Sequence, residues 1–290
     1  MPARAAPIEQ DSAEIARLAA SENFPVASRL LPRAQRDDLM ALYGFARLAD
    51  DIGDESEGDR AAELDWLEQE LGRAYAGEAV HPVFLRLQPT ILRCGLPRQP
   101  FLDLIEANRR DQAVLRTATW DDLIGYCRLS ANPVGRLVLG VFGLATPERV
   151  AWSDDVCTAL QLVEHLQDVR EDATRGRVYL PADLLAQAAC PDADLTAATA
   201  SPALRGVVAD VAGRTRPLLG SGQPLVRSLH GRPRLAVAGF CAGGWAVLDA
   251  VERAGYDVLA VNIRPSRVRM LARWGTVLTD ARFPRRTATP

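Results

Sequence analysis

The chain has 290 residues, 48% hydrophobic and 24% charged, with a formal net charge of −3: enough for a sizeable core in one or two domains, without a basic footprint for nucleic acid. All 34 basic residues are arginine, which excludes Schiff-base lysine chemistry, a P-loop lysine and a kinase-type lysine, because each needs the amine itself. The five cysteines are scattered without a CxxC pair, which favours a reducing compartment and argues against structural zinc; His81, His165 and His230 have no metalloprotease spacing.

The first twenty residues lack the apolar core of a signal peptide. Apolar residues then recur at three- and four-residue spacing through 35–52, 60–76, 98–113, 120–143, 151–173, 203–219 and 233–256, which predicts helices. Proline and glycine fall mostly between these runs, as at Gly95–Pro97 and Gly231–Pro233. Residues 187–202 and 282–290 have loop composition, and 1–10 and 282–290 read as frayed ends. The longest uncharged apolar stretch, Leu235 to Leu248, has 14 residues where a bilayer takes about 20, so the expectation is a soluble or at most membrane-associated protein. Without repeats or a linker, residues 1–290 read as one all-α domain, a helical bundle of about ten helices around a central cavity.

Two acidic segments carry the chemistry. In Ala46-Arg-Leu-Ala-Asp-Asp-Ile-Gly-Asp-Glu55, Asp50 and Asp54 are four apart, so on a helix their carboxylates lie on one face and repel. That pattern alone also fits a solvated acidic helix end. In the second segment, Glu164, Asp168 and Asp172 stand at i, i+4 and i+8 with Gln161 about a turn earlier, flanked by Leu162, Val163, Leu166 and Val169. Carboxylates on so apolar a helix need a counter-charge, since desolvation and mutual repulsion both resist ionisation. All-oxygen ligands suit Mg²⁺, which bridges one or two carboxylates to substrate phosphates. Arg47, Arg170, Arg175 and Arg177 lie nearby to hold a diphosphate. A dinuclear iron bundle needs Glu-x-x-His pairs from two helices, and no two such pairs occur.

SENFPVASRLLPRAQRDDLMALYGFARLADDIGDE (21–55) resembles the opening of the squalene/phytoene synthase family, LQLVEHLQDVREDATRGRVYLP (160–181) its second aspartate-rich motif, and YCRLSANPVG (126–135) its YxxxVAGxVG helix. The resemblance implies an isoprenoid-synthase-type bundle acting on a prenyl diphosphate, either presqualene or farnesyl diphosphate, with Mg²⁺. Carried over by position, Asp50, Asp51, Asp54, Asp168 and Asp172 would be metal ligands. Arg47, Arg177 and Tyr179 would contact the diphosphate, with Gln161 bordering the pocket and Ser21 and Asn23 near the phosphates. Tyr126 and Tyr256 would line the reacting end, and Arg264 and Arg267 would close over the phosphate.

The chain also departs from the family pattern. Glu164 stands where an Asn is usual and becomes a further candidate ligand, Gln167 stands where Arg is frequent, and Asn132-Pro133 replaces Gly-Thr. Together these look like the hydroxysqualene synthase branch of bacterial hopanoid pathways, which opens presqualene diphosphate and captures the cation with water; Asn132 or Glu164 would place that water. The alternatives are presqualene diphosphate or squalene synthase, phytoene synthase, and a non-catalytic scaffold. His165 and the five tryptophans read as packing residues. The arginines Arg264, Arg267, Arg269, Arg273, Arg285 and Arg286 suit either a diphosphate lid or peripheral contact with an anionic membrane. A cytoplasmic place, peripheral at the inner membrane face and beside other isoprenoid-pathway enzymes, completes the expectation.

Overall fold

Capping residues set the helix boundaries. Pro32 precedes α1 (Arg33–Asp54). Asp59 accepts from the Ala62 amide to start α2 (Arg60–Ala76), and Gly77 ends it in the left-handed region, where a residue without Cβ carries no penalty. α3 (Pro82–Cys94) and α4 (Gln99–Ala113) each open with a proline in the first turn, where no amide partner is lost. Thr119 and Asp122 form a capping box at the head of α5 (Trp120–Ser130). The structure, a computed structural model, describes residues 31–261 and 263–280. The frayed ends expected at 1–10 and 282–290, together with Ser21 and Asn23, lie outside the described residues.

Two of the predicted helices are interrupted. The run 120–143 breaks at Ala131 into α5 and α6 (Asn132–Val141), because Pro133 has no amide to donate and its ring crowds the preceding turn. The run 151–173 breaks at Asp168 (φ −103°, ψ 11°), between α7 (Pro147–Gln167) and α8 (Val169–Thr174). The Asp172 amide still donates to the Asp168 carbonyl at 2.8 Å, so the acidic stripe continues across the break. The chain then forms α9 (Ala182–Gln187), a 3₁₀ turn (Asp192–Thr196), α10 (Pro202–Gly220), α11 (Gly222–Ser228), α12 (Gly231–Arg253) and α13 (Arg267–Asp280). There is no strand among the described residues, only an isolated parallel bridge between Arg116 and Val178.

Two apolar cores support the site from either side. α1 to α4 pack around Phe45, which meets Phe84 at 5.8 Å and Phe101 at 5.0 Å edge-on; burying each such ring stabilises by roughly 1.5–3 kcal/mol. α7, α10 and α12 build the second core around Val163, Val208 and Val247. α12 is long and apolar enough to cross a membrane, but two-thirds of its apolar window (67%) is buried inside the bundle, so it serves as a core helix. Gly135 lets α6 approach α7: a Cβ there would lie 2.4 Å from Ser153 Oγ and 2.5 Å from Cys157 Sγ.

Candidate active site

α1 turns its acidic residues toward two different faces. Asp50 and Asp54 lie one turn apart. Asp51, a residue further on, is buried and takes Arg47 Nη2 at 2.6 Å, and the same guanidinium reaches Glu55 at 3.1 Å. Arg47 and Asp51, expected at the diphosphate and the metal, are therefore engaged with each other. Asp54 instead meets Arg177 Nη1 at 2.5 Å. That ion pair ties the first acidic segment to the RVYLP segment behind the second.

α4 lies beneath this pair. Asn108 Nδ2 donates to Asp50 Oδ1 at 3.3 Å, and Gln112 Nε2 donates to the Gly53 carbonyl at 3.0 Å. Gly53 is required by this approach, because a Cβ would sit 2.1 Å from Asn108 Oδ1. Asp111, also buried, accepts from Tyr126 Oη at 2.7 Å and from Tyr179 Oη at 3.3 Å. His165 stacks on Tyr179 with ring centres 4.0 Å apart and planes 19° from parallel. The 177–179 segment is pinned by Val178 donating to the Leu115 carbonyl at 2.8 Å and accepting from Thr117 at 3.0 Å. Asn108, Asp111 and Gln112 are absent from the sequence reading. The available signal is that Asn108 and Asp111 continue the buried stripe Phe101, Leu104, Ile105, a place where polar side chains need partners.

Burial dominates the electrostatics. Asp50 is an exposed residue, yet desolvation by the helices packed around its carboxyl, with Asp54 repulsion opposed by the Asn108 hydrogen bond, lifts it to about 7. Desolvation together with Glu171 lifts Asp168 to about 6, and desolvation with Asp168 and Glu171 lifts Asp172 to about 7. Desolvation also raises Asp111, against the opposing effect of the Tyr126 hydrogen bond, and lowers His165 to about 3, leaving that imidazole neutral. No three His, Cys, Asp or Glu side chains among the described residues converge into a protein-only metal cage. Hard oxygen donors held above their ordinary pKa by desolvation and like charge nevertheless fit a divalent cation that shares its shell with a diphosphate.

A pH signature follows. A carboxyl with a folded pKa near 7 and an unfolded value near 4 favours folding when protonated; its ionisation cost is absent below about pH 4, grows toward pH 7 and is complete above. Without ligand, Asp50→Asn is therefore expected to raise the melting temperature at pH 8 and hardly change it at pH 4.5. Thermal melts at the two pH values check this, and an equal shift at both would contradict it.

The remaining candidates are more scattered. Gln161 Nε2 is 3.5 Å from His165 Nε2, and Glu164 is half-buried one turn before Asp168. Arg264 is exposed but close enough to favour ionisation of Asp168, and Arg267 is exposed at the start of α13. Tyr256 is half-buried at a φ of +61° beyond the end of α12, an uncommon state for a bulky residue. Asn132 does not join the carboxylates. Its Oδ1 accepts from Thr158 Oγ1 at 2.9 Å, and it lines a groove of about 730 Å³ bordered by Trp120, Arg128, Arg136 and Asp154, with none of the site carboxylates in its lining. Helix rotation at the Pro133 break accounts for this: Asn132 is at the first turn of α6, directed at α7.

The family model for squalene/phytoene synthase matches residues 18–274. The chain is 44% identical over 214 residues to hydroxysqualene synthase of Rhodopseudomonas palustris (72% of this chain, 71% of that one) and 39% identical over 224 residues to that of Zymomonas mobilis (74% and 73%). The crystal structure of a squalene synthase from Alicyclobacillus acidocaldarius superposes with a TM-score of 0.78 at 44% identity, over 84% of this chain and 94% of that one. With Asp54 and Arg177 joining the two acidic segments in an all-helical bundle and the match running from residue 18 to 274, the chain belongs to the squalene/phytoene synthase family.

Proposed function

We propose that this chain ionises presqualene diphosphate with Mg²⁺ and lets water capture the rearranged cation, yielding hydroxysqualene and diphosphate. The 44% identity to a hydroxysqualene synthase carries the reading, and the site supports it. Asp50, Asp54, Asp168 and Asp172 are the side chains that would hold Mg²⁺, which when bound offsets the charge of the departing diphosphate. Arg177, now on Asp54, offers its guanidinium fork to the same oxygens. The ester C–O bond breaks with its electron pair leaving on the diphosphate.

The cation then needs apolar walls, aromatic faces and no competing positive charge. Tyr126 and Tyr179, with ring centres 5.2 Å apart, would offer aromatic surface to such a cation, and the neutral His165 adds no repulsion. Placing the water, the role expected of Asn132 or Glu164, is assigned here to Asp111, whose carboxylate can also accept the proton. As a new C–O bond forms, the water proton moves to the Asp111 carboxylate beneath the two tyrosine hydroxyls. A second reading, NADPH-dependent formation of squalene, is favoured by the solved relative described as a squalene synthase. Purified protein given presqualene diphosphate and Mg²⁺ distinguishes the two: a C30 alcohol without NADPH supports the first, and a strict NADPH requirement with squalene as product supports the second.

A further inference from the structure

We propose that the face formed by Val261 and the outer side of α13 docks on an anionic lipid bilayer, setting the carboxylate end of the bundle against the membrane. α13 packs its inner side on α12 through Trp274 Nε1, which donates to the Leu235 carbonyl at 3.0 Å, and through Arg273, bidentate on Asp249 at 2.6 Å. Its outer side leaves Val268 76% and Leu271 64% exposed, three residues apart on one face, with Val261 50% exposed just before the helix. Residues 261–279 contain four arginines and no acidic residue. Arg264, Arg267 and Arg269 are exposed; Arg264 also acts on the Asp168 carboxylate, while Arg267 and Arg269 form no ion pair among the described residues. Solvated apolar side chains flanked by exposed arginines match a surface with anionic headgroups over an acyl layer. They suit a second protein copy poorly, because this same net charge of arginines would face itself.

The location gives the contact a use. Gln167 donates to the Ile263 carbonyl at 2.5 Å, so the patch adjoins the end of α7 where Asp168 begins the second acidic segment. Exposed Val114 and Leu115 adjoin Val178 through the Leu115 carbonyl, beside Arg177 and Tyr179. A C30 product leaving beside Asp168 would pass directly into lipid. This proposal stands on the patch itself and survives a change in the identity of the product.

The test is co-sedimentation of the full chain with vesicles of phosphatidylcholine alone or with 30% phosphatidylglycerol, about a third of the lipid being charged. Binding is expected to the anionic vesicles, to weaken with salt, to drop at least tenfold in Val268→Asp/Leu271→Asp, and to rise several-fold in Val268→Trp. Both positions are solvated, so circular dichroism and melting temperature should match the parent. Equal binding to neutral and anionic vesicles, indifference to all three substitutions, or a parent dimer that the double substitution converts to monomer would each overturn the proposal.

Discussion

Asp50→Asn and Asp168→Asn are each expected to lower kcat by roughly a thousandfold, at the upper end of what removal of one group stabilising transition-state charge produces, while the protein stays folded. Both carboxyls are held above their ordinary pKa by desolvation, and Arg175 and Arg264 are the cations that favour the charge of Asp168. Removing the charge relieves repulsion, so the variants should melt no lower than the parent at pH 8, while the stabilisation that magnesium plus diphosphate gives the parent by mass action should shrink. Loss of activity combined with undiminished stability is what distinguishes a ligand from a packing residue. Steady-state rates at limiting Mg²⁺, with melts in parallel, check this; near-parental activity in either variant would remove that residue from the metal site.

Asp111→Asn carries the second large effect. The amide is the same size and its oxygen can still accept from Tyr126 or Tyr179, so the buried hydroxyls keep a partner, but an amide does not take a proton. General-base removal costs on the order of 10²–10⁴ in the step it serves. Ionisation belongs to the carboxylates and Arg177, so diphosphate release should continue while the alcohol falls by at least a hundredfold and eliminated or rearranged hydrocarbons take its place. The ratio of diphosphate released to alcohol formed is the quantity to measure. If both fall in parallel, Asp111 merely holds the two tyrosines in place.

Part of this site is legible in the sequence: the i, i+4 spacing stacks Asp50 and Asp54 on one helix face, and the family resemblance sets Arg177 beside the carboxylates as a diphosphate contact. The pairing of Arg177 with Asp54 emerges only in the fold. Three features escape such reading for physical reasons. Arg47 and Asp51 also stand at i, i+4, the spacing of a helical ion pair, and that local pairing competes with the metal role that adjacency to Asp50 suggests. Asn108 and Asp111 act across helices, so only their place on an otherwise apolar stripe marks them. The break at Asp168 has no proline or glycine to announce it; the nearest long-range tie is Gln167 to Ile263, 96 residues away. Among whole elements, α3 is missed because Pro89 interrupts its pattern, and α13 because only one side of it meets the bundle.

In the proposed reaction water, and not hydride, ends the cation's path. Purified protein incubated with presqualene diphosphate and Mg²⁺ in H₂¹⁸O, with no NADPH present, should release diphosphate and a C30 alcohol carrying one ¹⁸O atom, read by mass spectrometry of the extracted lipid. A C30 product without ¹⁸O, or product that appears only when NADPH is added, would contradict the account.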